Sequence, residues 1–296
     1  MELQVISHKT AEDYFKEFYP EDVCPSYAFQ LQRMFESGAA REGDYILIRN
    51  NGQPFLKTEI YRNNTRRVWE RPFELKDPAE PNCEDIYSAL ELIFKFINDR
   101  EYFFRRNDIL EIVISEDFDQ KTVMKELLSR YGYKSFELVE EYYKKDFSEE
   151  KENLFKKRLV SFFDLSVSER AGLVLENDII TGIFPNIDPD ELYLDYLEEG
   201  YDSEKLWKYI YSDRGVEGFI MPVFTSAFKS RIRVLNYGLA NNDPETLKNM
   251  IFYLFRISSE NDIKDLFFNI SAKDDRIKQY LISLGFVKIN SYMRYA

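Results

Sequence analysis

The sequence predicts a mixed α/β protein built as two tandem domains of the same kind, each a mostly antiparallel sheet flanked by helices. Three observations predict it. The first is an internal repeat. A strand Asp262–Ser271, a helix Asp274–Leu284, the pair Gly285-Phe286 and a strand running to Tyr295 repeat an earlier strand Asp108–Ser115, helix Gln120–Tyr131, pair Gly132-Tyr133 and strand Phe136–Tyr143. The Asp-Ile pair that opens the strand recurs 154 residues later and the glycine 153 residues later, a period too long for a solenoid. The second is a hairpin signal, Asn50-Asn51-Gly52 between the alternating runs Asp44–Arg49 and Phe55–Arg62. The third is an amphipathic helix from Asp85 to Ile97, with Ile86, Leu90, Ile93 and Ile97 on one face.

The elements follow in order. Helices are expected at Ala11–Phe18 and Tyr27–Ser37, separated by Pro20 and Pro25. The hairpin comes next, then a turn at Asn63-Asn64 and a third strand, Val68–Leu75. The Pro-rich link Asp77–Pro81 leads into the amphipathic helix, and the first copy of the repeat follows. The charged stretch Lys144–Arg158 reads as the connection between domains at 1–150 and 151–296. The second half offers strands at Gly172–Leu175 and Ile179–Phe184, and helices at Pro189–Glu198 and Ser203–Tyr211. A hairpin then joins Glu217–Phe224 to Arg231–Ala240, and a helix Pro244–Ile257 starts with Asp243 as its cap and Pro244 in the first position.

Composition narrows the function classes. Hydrophobic content of 44% with 16% aromatic supplies two cores, and most of the 25 Phe and 21 Tyr read as packing. A net charge of −13 disfavours nucleic acid as a general partner, although residues 205–296 carry 14 Lys and Arg against 9 Asp and Glu. No apolar run is long enough to span a bilayer and the first residues lack the pattern of a signal peptide, which points to a cytoplasmic protein. Cys24 and Cys83 are too few for a disulfide framework or zinc site, and the single histidine, His8, reads as a surface residue. No metal is expected. Walker, Rossmann and nucleophile-elbow motifs are missing from the sequence.

The element order, with Asp274–Phe286 as DDRIKQYLISLGF followed by VKINSYMRY, resembles the GNAT superfamily of N-acetyltransferases in both halves. The resemblance implies a tandem GNAT. It implies that acyl-CoA lies where the fourth and fifth strands splay apart, Arg231–Ala240 and Asp265–Ser271 in the second half, with the pantetheine arm bonding a free strand edge. The contacts it implies there are Gly238, Leu239, Ala240, Asn241, Asn242, Thr246, Lys248 and Ser271. The family's pyrophosphate loop, Gln/Arg-x-x-Gly-x-Gly/Ala, uses glycines to bring backbone N–H groups to a helix N-terminus. Here the loop reads Leu239-Ala240-Asn241-Asn242-Asp243-Pro244-Glu245-Thr246, without arginine or glycine. In the first half it reads Leu75-Lys76-Asp77-Pro78-Ala79-Glu80-Pro81.

The family's tyrosine, four residues before the Gly-Phe pair, protonates the departing thiolate. That position is Leu281 here, with Tyr280 one residue earlier, and Leu128 in the first half. The resemblance therefore implies Tyr280 as general acid, and Glu217, at the start of its strand, is the acidic residue placed to act as base. The expected activity is transfer of an acetyl or other acyl group from acyl-CoA to an amine of a small molecule or peptide. The second half would be the catalytic module and the first a degenerate copy. A GNAT-derived binding or scaffold protein without catalysis, and transfer from an aminoacyl-tRNA, are the other readings.

Overall fold

A computed structural model describes residues 1–18, 24–37, 40–62, 66–69, 73–77, 82–99, 109–145, 157–166, 180–182, 203–213, 215–224, 230–240 and 243–296. The expected strand Gly172–Leu175, the helix Pro189–Glu198 and the turn Asn63-Asn64 lie outside these residues, as do Asn241 and Asn242. The chain divides into two compact units, Met1–Glu137 with Met293–Ala296, and Leu138–Tyr292.

In the first unit, strands β1 (Glu2–Val5), β2 (Tyr45–Asn50), β3 (Gln53–Glu59) and β6 (Glu74–Leu75) form an antiparallel sheet in the order β1-β2-β3-β6. The β2–β3 turn has positive φ at both Asn51 (52°) and Gly52 (78°), the two-residue hairpin that matches strand twist. Alternation along β2 fills two cores. Tyr45 and Leu47 meet Tyr14, Phe15 and Leu31 of helices α1 (Ala11–Phe18) and α2 (Cys24–Ser37). Ile46 and Ile48 join the core under α3 (Cys83–Asn98).

Two further strands, β4 (Tyr61–Arg62) and β5 (Arg66–Trp69), pair antiparallel, and β5 runs parallel to β7 (Ile109–Ser115) from Arg66↔Ile109 to Trp69↔Ile112. The run Val68–Leu75 is thus not one strand: β5 pairs with β7, whereas β6 pairs with β3. The short strand β1, not foreseen, pairs antiparallel with β2 from Glu2↔Arg49 to Val5↔Ile46. Helix α3 starts at Asn82, whose side chain accepts from the Glu84 N–H at 3.0 Å, and buries Ile86, Leu90, Ile93, Phe94 and Ile97. These meet Met124, Leu127 and Leu128 of α4 (Lys121–Arg130) and, from the far end of the chain, Tyr295. Ala296 and Lys134 exchange backbone hydrogen bonds at 3.1 and 3.0 Å.

In the second unit the sheet order is β8-β14-β13-β12-β11-β9. The strand β8 (Ser135–Lys145) contributes its residues from Leu138 onward, pairing antiparallel with β14 (Asp265–Ser271) from Lys145↔Asp265 to Val139↔Ser271. β13 (Arg231–Ala240) is parallel to β14 and antiparallel to β12 (Gly215–Phe224). β11 (Lys208–Ser212) lies between β12 and β9 (Arg158–Ser161). This corrects the helix expected over Ser203–Tyr211. A 3₁₀ turn covers Ser203–Leu206 and a strand follows, because Tyr209 and Ile210 are buried in a two-sided strand whose partners lie elsewhere in the sequence. Helix α5 (Pro244–Glu260) supplies Leu247, Met250, Ile251 and Leu254 to the core, and α6 (Asp275–Ser283) supplies Ile277 and Leu281. The chain then enters β15 (Val287–Tyr295).

The repeated glycine ends a helix in each unit. Gly285 (φ 83°) and Gly132 (φ 86°) take the left-handed conformation. The next N–H, Phe286 or Tyr133, bonds back to the carbonyl of Leu281 or Leu128 at 3.0 and 2.9 Å. This is a Schellman stop, in which the residue after glycine packs on the residue five before it. Leu281 and Leu128 fill that buried place, both fully covered. Among the described residues no helix is long and apolar enough to cross a membrane.

Candidate functional site

The parallel pairing of β13 with β14 runs from Arg231↔Asp265 to Val234↔Phe268 and stops there. Both strands continue, β13 to Ala240 and β14 to Ser271, so the pair opens into a splay above Val234 and Phe268. Beyond that point β13 still holds β12 on its other edge, with Gly238 opposite Phe219 and Leu239 opposite Gly218. The edge turned toward the splay is not free. A short strand, β10 (Ile180–Gly182), pairs with it antiparallel: Ile180↔Ala240, Thr181↔Leu239 and Gly182↔Gly238. Since Gly238 and Leu239 pair with β12 and β10 at once, β10 stands on the side β14 has vacated.

The N-terminus of α5 is also filled from within. Asp243 is its cap, accepting from the N–H groups of Glu245 and Thr246 at 3.3 and 3.1 Å. Lys157, just before β9, reaches the same carboxylate at 2.5 Å and the Thr246 hydroxyl at 2.7 Å, and also bonds Glu217 of β12. Ser212 donates to the other oxygen of Glu217 at 2.5 Å. Burial pushes the Asp243 carboxyl up, but the Lys157 ammonium, the Thr246 hydroxyl and the two helix N–H groups outweigh it and hold it at about 2. Lys157 and Ser212 hold Glu217 below the usual carboxylate range. Lys157 is driven down by burial and, more strongly, up by its two carboxylates, so it stays charged.

A glycine makes this close assembly possible. A Cβ at Gly218 would lie 2.6 Å from the Gly238 carbonyl oxygen, 2.7 Å from Met250 Cε and 2.9 Å from Thr246 Cγ2. Only a residue without a side chain lets the first turns of α5 press against β12 and β13 there.

The side chains singled out in the sequence separate into groups. Glu217 and Thr246 come together around Lys157, and Gly238, Leu239 and Ala240 carry the β10 pairing. Lys248 lies over the Phe252 ring, its ammonium 5.5 Å from the centroid. Ser271 ends β14 opposite Val139, and its carbonyl accepts from the Asp274 N–H at 2.9 Å. Tyr280 is half-buried on α6 against the core, and Leu281 faces fully inward. The sequence reading missed Lys157, which sits in a charged stretch that resembles solvated linker, with partners 60, 86 and 89 positions away.

A second polar group lies at the foot of the splay. Glu141 of β8, buried, accepts from the Tyr292 hydroxyl at 2.9 Å and has Arg233 Nη2 2.8 Å from its other oxygen. That second contact is an ion pair whose angle does not make a hydrogen bond. Burial and the adjacent carboxylate push the Tyr292 phenol up to about 12. On β14, Asn269 pairs with Glu141.

The Lys157 assembly has a measurable signature. The Asp243 carboxyl is held below its ordinary 3.8, so it stabilises the fold above that pH, and the contribution disappears as pH falls toward 2. Lys157→Met is expected to cost about 2 kcal/mol, less than for a fully buried pair because both carboxylates are partly exposed. It should also shift the acid-unfolding profile to higher pH, read by circular dichroism across pH 2–5.

No protein-family model matches the chain, and no curated protein matches it by sequence. Solved structures do match by fold. A GCN5-related N-acetyltransferase from Sphaerobacter thermophilus superposes with TM-score 0.62 at 12% identity, covering 99% of this chain and 94% of that one. A tandem GNAT protein from the clavulanic acid biosynthesis pathway gives 0.55 at 9% identity, with 99% and 97% covered. A GCN5-related N-acetyltransferase from Anabaena variabilis gives 0.55 at 10%, with 99% and 72% covered. With the repeat, the paired Schellman stops and the splay between β13 and β14, these full-length likenesses establish that the chain has the GNAT acetyltransferase fold in its tandem form.

Proposed function

We propose that the protein is an acyltransferase that moves an acetyl or other acyl group from acyl-CoA to an amine of a small molecule or peptide. The second unit is the working module, and the first is a degenerate copy. The observation that carries this reading is the splay: β13 and β14 part after Val234 and Phe268 although both strands continue, leaving the place where the fold's enzymes receive a pantetheine arm. Tyr280 is assigned the proton donor to the leaving thiolate and Glu217 the acceptor of the amine proton. Because Lys157 holds Glu217 ionised and weakly basic, that second role requires Lys157 to withdraw.

A second reading is favoured by a specific observation. The α5 N-terminus, where the pyrophosphate would dock, already holds the Asp243 carboxylate, so the chain's own residues do not fit a free diphosphate as they stand. A non-catalytic GNAT-derived binding protein would show this arrangement too. Calorimetric titration with acetyl-CoA and thiol release with a panel of amines separate the two. Binding with turnover, reduced at least about tenfold by Tyr280→Phe with little change in KM, supports the enzyme. No binding at millimolar acetyl-CoA supports the scaffold.

A further inference from the structure

We propose that β10 is a resident substitute for the acyl donor: a strand of the chain itself that occupies the β13 edge and must leave before acyl-CoA enters. The inference rests on the acyl-donor reading of the splay. Its basis is geometric. The register puts Ile180, Thr181 and Gly182 opposite Ala240, Leu239 and Gly238, beyond the last β13–β14 pair, on the edge that β12 does not hold. Backbone groups on an edge of this kind are satisfied by an added strand. Here the chain supplies the strand, and a pantetheine amide would need the same groups.

The second half of the cofactor's footprint is treated alike. A diphosphate at α5 would need the N–H groups of Glu245 and Thr246, which the Asp243 carboxylate now holds with Lys157 as its counter-ion. Strand and carboxylate together mimic an amide-rich arm ending in an anion. Binding of acyl-CoA then becomes an exchange of partners. Its apparent affinity is the intrinsic affinity multiplied by the fraction of molecules in which β10 has released the edge. A three-residue strand is a suitable competitor, because it gives up few hydrogen bonds on leaving.

The test measures acetyl-CoA affinity and amide exchange on the same proteins. Thr181→Pro removes an N–H and disfavours strand pairing at the centre of β10. Ile180→Gly/Thr181→Ser weakens the strand without proline and serves as the second variant. The expected result is that both variants bind acetyl-CoA at least about tenfold more tightly than the unchanged chain. Those amides within Gly238–Ala240 that point toward β10 rather than β12 should be protected in the unchanged chain, exchange freely in the variants, and regain protection on adding acetyl-CoA. Equal affinity in all three proteins, or protection that survives both substitutions, overturns the inference and leaves the acyltransferase reading standing. If the variants expose the edge and still bind no acetyl-CoA at millimolar concentration, the acyl-donor reading falls and the inference with it.

Discussion

Arg294→Met is expected to destabilise the first unit by about 3–5 kcal/mol, the cost of removing one partner from a buried ionic cluster. Arg294 is 4% exposed. Its guanidinium grips Glu111 of β7 in bidentate fashion, Nε to Oε1 at 2.5 Å and Nη2 to Oε2 at 2.9 Å, and it also bonds Glu137. The Phe136 ring lies 4.8 Å from its Cζ and closes one side. Removing the cation takes from Glu111, itself 4% exposed, the guanidinium that grips both its oxygens. Urea denaturation should show the loss. The double variant Arg294→Met/Glu111→Gln should recover part of it, because the buried carboxylate charge that Arg294 served is gone. Arg294→Lys should not restore full stability, since an ammonium cannot reproduce the bidentate fork.

Phe268→Ala is expected to cost about 3–5 kcal/mol in the second unit. The ring is fully buried, sits 5.2 Å from the Tyr237 ring, and belongs to the last residue pair joining β14 to β13. Its loss empties the foot of the splay. The stability change should come with faster amide exchange at Val234 and Phe268, the residues just below the opening. An unfolding midpoint lowered without faster exchange at these two positions would show that Phe268 supports the core but does not pin the splay.

Much of the fold could be read from local signals that survive in three dimensions. Asn51-Gly52 made its two-residue turn, Asp243 capped its helix, and the repeated glycines stopped theirs. Local stops and caps depend on a few neighbouring residues, so they are legible. What escaped depends on distant partners. The strand Lys208–Ser212 was read as helix because its burial comes from β9 and β12 on either side. Glu2–Val5 is too short to show a period. Ile180–Gly182 lies within the strand expected over Ile179–Phe184, but nothing local in the sequence names its partner, the β13 edge. The periodicity of Phe136–Tyr143 marked a strand but carried no information about which sheet would take it, and Val139–Lys145 pair with β14 of the second unit.

The site was legible to a smaller degree for the same reason. Glu217 and Thr246 were singled out separately, but the residue that unites them, Lys157, lies in a run of charges with no periodic or motif signal. The leucines at 281 and 128, where the family's tyrosine would stand, are each the buried half of a Schellman contact with the aromatic residue after glycine. The sequence displays the missing phenol; only the fold explains what leucine does there instead.

The first unit's claim on Met293–Ala296 sets a timetable for making the protein. Glu111 and Glu137 are synthesised long before Arg294, and the 155 residues of the second unit come between. At the ~5–20 residues per second of translation, that interval is about 8–30 s. Through it the nascent first unit carries two carboxylates awaiting their cation, and an α3–α4 core awaiting Tyr295. Its completion is therefore timed by the translation of its neighbour. A chaperone that shelters the nascent chain would meet it in this half-finished form.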